Sequence, residues 1–335
     1  MIFSKVFQTI DTHTFGEPTR ILNGGLLKLK GNTVAEQRDY MAEHYSWLRN
    51  TLIQEPRGHR DMFGAVLLPP VTDGVDFGVI YMDNGNFLNM CGHATIGIST
   101  AIVETGLVPV VEPYTDLVIE TPAGIVYPRV KVENGRVESV TFKNVPGFLE
   151  QRDVELDIEG YGKIIVDISF GGNYFAWVDI KQFNERLHPS NTAKIKMLAK
   201  LVKSAVNEKV KVQHPTKSYI NYIDIVTFFD EPTIPEATYK NVHIFSENQA
   251  DRSPGGTGTT AMVSRMVGRG ELGLNEKIVC EGFVSGTFIG EALEKVDLNG
   301  TEGYITTVTG SAFIMGFNTI VVDPHDPLAE GFMVD

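Results

Sequence analysis

Cysteine is almost absent from this 335-residue chain, which carries only Cys91 and Cys280. So sparse a supply excludes a disulfide framework and points to a reducing compartment. Basic residues are also short, 29 Lys and Arg against 42 Asp and Glu, for a net charge of −13. An acidic surface without a dense Lys/Arg stripe repels phosphate backbones, so neither nucleic acid nor an anionic membrane is an expected partner. No apolar run approaches the roughly 20 residues that cross a bilayer. The opening MIFSKVFQTIDTHTFGEPTR reaches acidic and turn residues too soon for a secretory signal. A soluble, cytoplasmic protein is expected. There is no HExxH, GxSxG or Walker loop, and the eight histidines are scattered without metal-ligand spacing, so no metal is expected. Gly256–Ala261 reads GxGxxA, but it follows Asp-Arg-Ser-Pro and not a strand. It is rejected as a dinucleotide fingerprint.

What is present is ordinary globular composition, 42% hydrophobic and 21% charged. The length favours two domains over one. Short β-branched or aromatic runs bounded by turn residues predict strands at Gly64–Leu68, Phe77–Met82, Leu117–Glu120, Ile164–Ile168, Ala176–Asp179, Ile223–Phe228 and Val242–Phe245. Met41, Tyr45, Leu48 and Leu52 share one face of a predicted helix over Ala35–Ile53. A second amphipathic helix is expected over Ser190–Val206.

Two further helices differ in kind. Gly92–Gly106 and Gly256–Gly268 each begin in Gly-rich sequence with small residues in the first turns. The first is apolar nearly all round, which suits a core helix and not a surface one. Their starts can be superposed, Cys91-Gly92-His93-Ala94-Thr95 on Gly255-Gly256-Thr257-Gly258-Thr259. A match displaced by about half the chain suggests a duplication.

The chemistry follows from these starts. A thiol directly before a helix feels the partial positive charge and unpaired N–H groups there, which favour the thiolate. Cys91 can therefore serve as nucleophile or general base; otherwise it packs as a small hydrophobe. His93, two residues on, can donate a hydrogen bond or orient a neighbour, or be merely structural. The run Asp251–Thr259 places polar residues and glycines before a helix, where backbone N–H groups can cradle a carboxylate. Asp251 can accept from an ammonium group, or simply cap the loop. Cys280 lies in a strand-like run and is expected in the core.

These segments resemble the proline racemase family. The matching stretches are IDTHTFGEPTRI at 10–21, EPRGHRDMFGA at 55–65, MDNGNFLNMCGHATIG at 82–97, QADRSPGGTGT at 249–259, TGSAFIMGF at 309–317 and DPHDP at 323–327. The resemblance implies an α/β (α+β) fold like that of diaminopimelate epimerase. It has two pseudo-symmetric halves, each a curved, mostly antiparallel sheet around a central helix, with the active site between them. On that basis the halves are expected at residues 1–125 plus 305–335, carrying Cys91, and at 126–304, carrying Asp251 and Gly255. A cofactor-independent homodimer acting on a small imino acid is implied.

Racemases of this family use two cysteines, one on each face of the substrate. By resemblance Cys91 is the first of these. Gly92 and His93 hold substrate, Asp251 binds its nitrogen, Gly256 and Thr257 bind its carboxylate, and Phe63 and Phe245 flank the ring. The second cysteine would stand at position 255, where this chain has Gly255. Three outcomes remain open. The chain racemises with water or another residue as the second acid; it dehydrates trans-3-hydroxyproline with Cys91 as single base; or it binds an imino acid without turnover. The racemase-like reading is placed first, and Gly255→Cys is expected to raise racemisation if the pocket is otherwise racemase-like.

Overall fold

The computed structural model describes residues 5–25, 28–218, 220–246 and 248–334. The chain divides into two compact units, Met1–Phe142 with Gly310–Asp335, and Lys143–Thr309. The sequence-based division fell at 125/126 and 304/305.

The first unit runs β1 (Lys5–Thr14), β2 (Glu17–Gly24), α1 (Val34–His44), α2 (Ser46–Ile53), β3 (Phe63–Leu68), β4 (Phe77–Met82), β5 (Phe87–Leu88) and α3 (Gly92–Glu104). It continues through β6 (Tyr114–Asp116), β7 (Ile119–Thr121), β8 (Gly124–Val126), β9 (Arg129–Glu133) and β10 (Arg136–Lys143). The second unit contains β11 (Phe148–Ile158), β12 (Gly162–Phe170), β13 (Tyr174–Asp179), α4 (Thr192–Lys209), β14 (Ile225–Asp230), β15 (Tyr239–Phe245) and β16 (Gln249–Ala250). It ends with α5 (Gly256–Arg269), β17 (Lys277–Glu281), β18 (Thr287–Leu298) and β19 (Thr301–Gly310). The chain then returns to the first unit as β20 (Phe313–Val322), which pairs with β1.

The pairing pattern is the same in both units. From β1 through β2, β3, β4 and β7 to β8 the successive pairings are antiparallel, parallel, antiparallel, parallel and antiparallel. From β12 through β13, β14, β15 and β17 to β18 the order of pairings repeats. Each unit adds an outer strand, β20 on β1 and β11 on β12. Each has a two-residue strand just before its central helix, β5 on β4 and β16 on β15. The faint match of two helix starts is thus the visible trace of a duplicated topology.

Each central helix packs on its own unit's strands, α3 on β1, β2, β3 and β20, α5 on β11, β12, β13 and β18. Gly92 to Val103 are buried without exception, as an all-apolar helix requires. Among the predicted strands, those at 64–68, 77–82, 164–168, 176–179 and 242–245 lie within β3, β4, β12, β13 and β15. The strand placed at 223–228 begins two residues later as β14, and that at 117–120 is the shorter β7. The helix expected over 35–53 is broken at Tyr45, whose φ of −131° and ψ of 24° are not helical. The break lets Val34 and Met41 from one piece and Leu48, Leu52 and Ile53 from the other enter the same core cluster. Burying both apolar faces outweighs one continuous hydrogen-bond ladder.

Candidate active site

Cys91 is the N-cap of α3, with extended backbone (φ −145°, ψ 120°) and 7% exposure. Its carbonyl accepts twice from Thr95, from the backbone N–H at 3.0 Å and from the hydroxyl at 2.7 Å. Since that hydroxyl proton is committed, the Tyr81 O–H, 2.7 Å away, is the donor to Thr95. Burial pushes the Tyr81 phenol well above its ordinary value, so it stays a donor. A chain Tyr81–Thr95–Cys91 thus runs from β4 to the helix start and holds the cysteine backbone.

The cysteine Sγ lies 3.4 Å from His93 Nδ1 and 3.7 Å from its Nε2. The ring meets Phe63 edge to face, with centroids 4.5 Å apart at 88°, and Thr14 donates to the His93 carbonyl at 2.8 Å. Burial lowers the imidazole to about 3. It is therefore neutral at physiological pH, and acts on the thiol as a hydrogen-bond partner and not as a cation. The first-turn N–H groups at Gly92 and His93 have no acceptor inside the helix and face its N-terminal end. In the first unit the structure therefore brings Cys91, Gly92, His93 and Phe63 together.

In the second unit Asp251 is 7% exposed. Its Oδ1 accepts from the Ser253 N–H at 2.8 Å, and its own N–H donates to the His243 carbonyl at 3.0 Å. Ser253 Oγ accepts from the Gly255 N–H at 3.1 Å. The loop thus delivers Gly255, Gly256 and Thr257 to the start of α5. Thr259 returns to the Gly255 carbonyl through both its N–H (2.8 Å) and its hydroxyl (2.7 Å), as Thr95 does to Cys91. Gly255 is the N-cap of α5, but its φ is +77°. Phe245 ends β15 opposite Gln249 and packs, partly buried, against the cluster around α5.

Cys280 is fully buried in β17, accepts the Tyr239 O–H at 3.0 Å, and is pushed up by burial to about 11. It is an inert core thiol, as expected. Among the described residues no three His, Cys, Asp or Glu side chains group closely enough to hold a metal. No helix among them is long and apolar enough to cross a membrane.

Two residues near the helix starts were not singled out from sequence. Tyr81 carries no sequence signal beyond its place in a strand, and nothing in the linear sequence ties it to Cys91. His243 was counted among scattered histidines, yet its ring lies directly against Gly255.

The proline racemase family model matches residues 9–333. The proline racemase of Clostridioides difficile is 47% identical over the full length of both chains. The trans-3-hydroxy-L-proline dehydratase of Bacillus thuringiensis subsp. konkukian is 41% identical, again over both full lengths. The crystal structure of a hydroxyproline epimerase from Agrobacterium vitis, with bound trans-4-hydroxy-L-proline, superposes with a TM-score of 0.89 at 28% identity. That match covers 100% of this chain and 96% of the other. This chain belongs to the proline racemase family. Its fold is the mixed α/β architecture of that family, with two open sheets and few helices. These relatives are isomerases and a lyase, and they lend no support to binding without turnover.

Proposed function

We propose that the protein is a cofactor-independent enzyme that removes the Cα proton of a proline-type imino acid with the Cys91 thiolate. The observation that carries this reading is Cys91 itself, an N-cap thiol 3.4 Å from a buried, neutral imidazole. A thiolate there is stabilised by the helix start and by an imidazole N–H. Each unit offers first-turn amides suited to a carboxylate, Gly92–His93 on α3 and Gly256–Thr257 on α5, and such amides stabilise the charge that develops as Cα loses its proton. By the family's pattern, Asp251 and His93 are assigned to the imino nitrogen and Phe63 and Phe245 to the ring. Overall similarity to racemases and epimerases places isomerisation first.

A second reading is favoured by one observation. Gly255 has no side chain to carry a proton, and elimination of a β-hydroxyl needs only one base at Cα. Dehydration of trans-3-hydroxyproline is that reaction. In either case we place the protein in the cytoplasm as a homodimer without a nucleic-acid partner, consistent with its net charge of −13.

The test is incubation in D₂O with L-proline, D-proline, cis- and trans-4-hydroxyproline and trans-3-hydroxyproline, followed by proton NMR and chiral chromatography. Deuterium at Cα together with the antipode or epimer establishes an isomerase. Consumption of trans-3-hydroxyproline alone, with loss of water, establishes the dehydratase. Absence of Cα exchange in all five substrates would overturn the proposal.

A further inference from the structure

The space beside Gly255 is not open. A Cβ built on Gly255 would lie 2.3 Å from His243 Nε2 and 2.4 Å from its Cδ2. A Cβ on Gly258 would come within 2.2 Å of the same ring. The imidazole is thus seated against two glycines of the α5 start, in the place a side chain at position 255 would take.

This ring cannot swing aside cheaply. Thr227, its direct partner on β14, has its hydroxyl 2.7 Å from Nδ1. Nε2 is 2.9 Å from the Pro254 carbonyl, which can only accept. Nε2 therefore carries the proton, and the Thr227 hydroxyl donates to Nδ1. Phe175 and Trp177 meet the ring edge-on at centroid distances of 5.5 and 5.9 Å. His243 is 2% exposed. The backbone agrees with the packing, since Gly255 at φ +77° occupies the left-handed region that side chains avoid. The expectation that Gly255→Cys alone would restore a second base is therefore corrected, because the new side chain would be strained and would strike the imidazole.

We infer that His243 is the residue that keeps position 255 a glycine and so confines this enzyme to one thiol, making the His243–Gly255 pair a determinant of reaction specificity. The inference rests on the proposed role of Cys91. His243 is a positioning residue. Its neutral ring commits its one proton to Pro254 and its lone pair to Thr227, and neither is turned to substrate. A carbanion formed by Cys91 then has no thiol at position 255 to reprotonate it. It is reprotonated from the first face or by water, or it expels a β-substituent.

The test is a four-protein cycle of wild type, Gly255→Cys, His243→Thr and the double variant, with threonine chosen as smaller and compatible with a strand. Melting temperature, Cα deuterium exchange and proline racemisation are read for each. Gly255→Cys alone should melt several degrees lower and gain no racemisation. The double variant should recover part of the lost melting temperature, the backbone strain at position 255 remaining, and racemise at least about 10²-fold faster than either single variant, the typical worth of a placed acid or base. Rapid racemisation by a fully stable Gly255→Cys protein would overturn the inference. So would a folded double variant that exchanges Cα deuterium without racemising. Antipode formation by the wild type that His243→Thr abolishes would also overturn it, by making the ring itself the second acid. Gly255→Ala provides a chemistry-free control, expected to destabilise the wild-type background more than the His243→Thr background; equal effects would count against the inference. Loss of Cα exchange in all four proteins, wild type included, would instead strike the proposed role of Cys91.

Discussion

The starts of α3 and α5 are built alike and used differently. Both follow a two-residue strand, and both have a threonine four residues on whose N–H and hydroxyl close on the N-cap carbonyl. Both present first-turn amides to whatever lies beyond the helix. At the first start the N-cap is an extended cysteine, with its thiol against His93. At the second it is a left-handed glycine with His243 pressed where a side chain would go. What the two starts share is a set of first-turn N–H groups, and anion binding, proposed for both, needs only those groups and tolerates changes of side chain. What differs is proton transfer, which needs one particular atom.

The largest expected effect sharpens that contrast. Cys91→Ala should lower Cα exchange by about 10²–10⁴-fold while leaving the second helix start intact, as read by NMR in D₂O. Exchange retained at the wild-type rate would remove the functional difference between the two starts.

A pH dependence of stability compares the two histidines. Burial holds His93 at about 3 and His243 at about 4, below their ordinary 6.5. Between these values and 6.5 the unfolded chain takes up protons that the folded chain refuses, so stability rises with pH in that window. The stabilising contribution is complete above about pH 6.5 and is lost as pH falls toward 4, by up to ~1.4 kcal/mol per pH unit for each ring. Denaturant unfolding at pH 7 and pH 5 measures it. His243→Thr should leave a shallower slope, carried on this side by His93. An unchanged slope would show that His243 is not held neutral.

The smallest effect tests the shared element. Thr259→Val removes the hydroxyl bond to the Gly255 carbonyl and should cost about 1 kcal/mol in unfolding free energy, whereas Thr95→Val also leaves the buried Tyr81 O–H without its acceptor and should cost about 2 kcal/mol. Cα exchange should fall further in Thr95→Val, because the Thr95 hydroxyl bond fixes the backbone of Cys91, the proposed base. Equal falls in exchange would mean that the two starts contribute alike.

Much of this was legible in the linear chain. Small residues and glycines announced α3 and α5, because a helix packed closely on strands leaves little room for side chains. Cys91 and His93 stand two residues apart, so their proximity follows from local geometry alone. The seven predicted strands were found, but β1, β2, β9, β10, β11, β18, β19 and β20 were among those missed, and β20, with its run FIMGFNTIVV, shows why. Its apolar residues do not alternate with polar ones, and Phe313, Met315 and Phe317 all stand exposed, so no period marks a buried face. The break at Tyr45 was equally hidden, since the apolar residues on either side keep the spacing of one helix.

Chain order and residue type were enough to establish the family and the duplicated helix starts, and to propose Cys91 as the base and Gly255 as the place without a second thiol. These rest on short-range patterns, in which a residue's neighbours in sequence are also its neighbours in space. Why position 255 is a glycine was decided only by the fold. His243 on β15 reaches Gly255 at the loop that opens α5, where its Nε2 bonds the Pro254 carbonyl, and its ring is held there by Thr227, Phe175 and Trp177 from two further strands. Close packing is a property of atoms brought together across the chain, and no spacing along it encodes which side chain will fill a given gap.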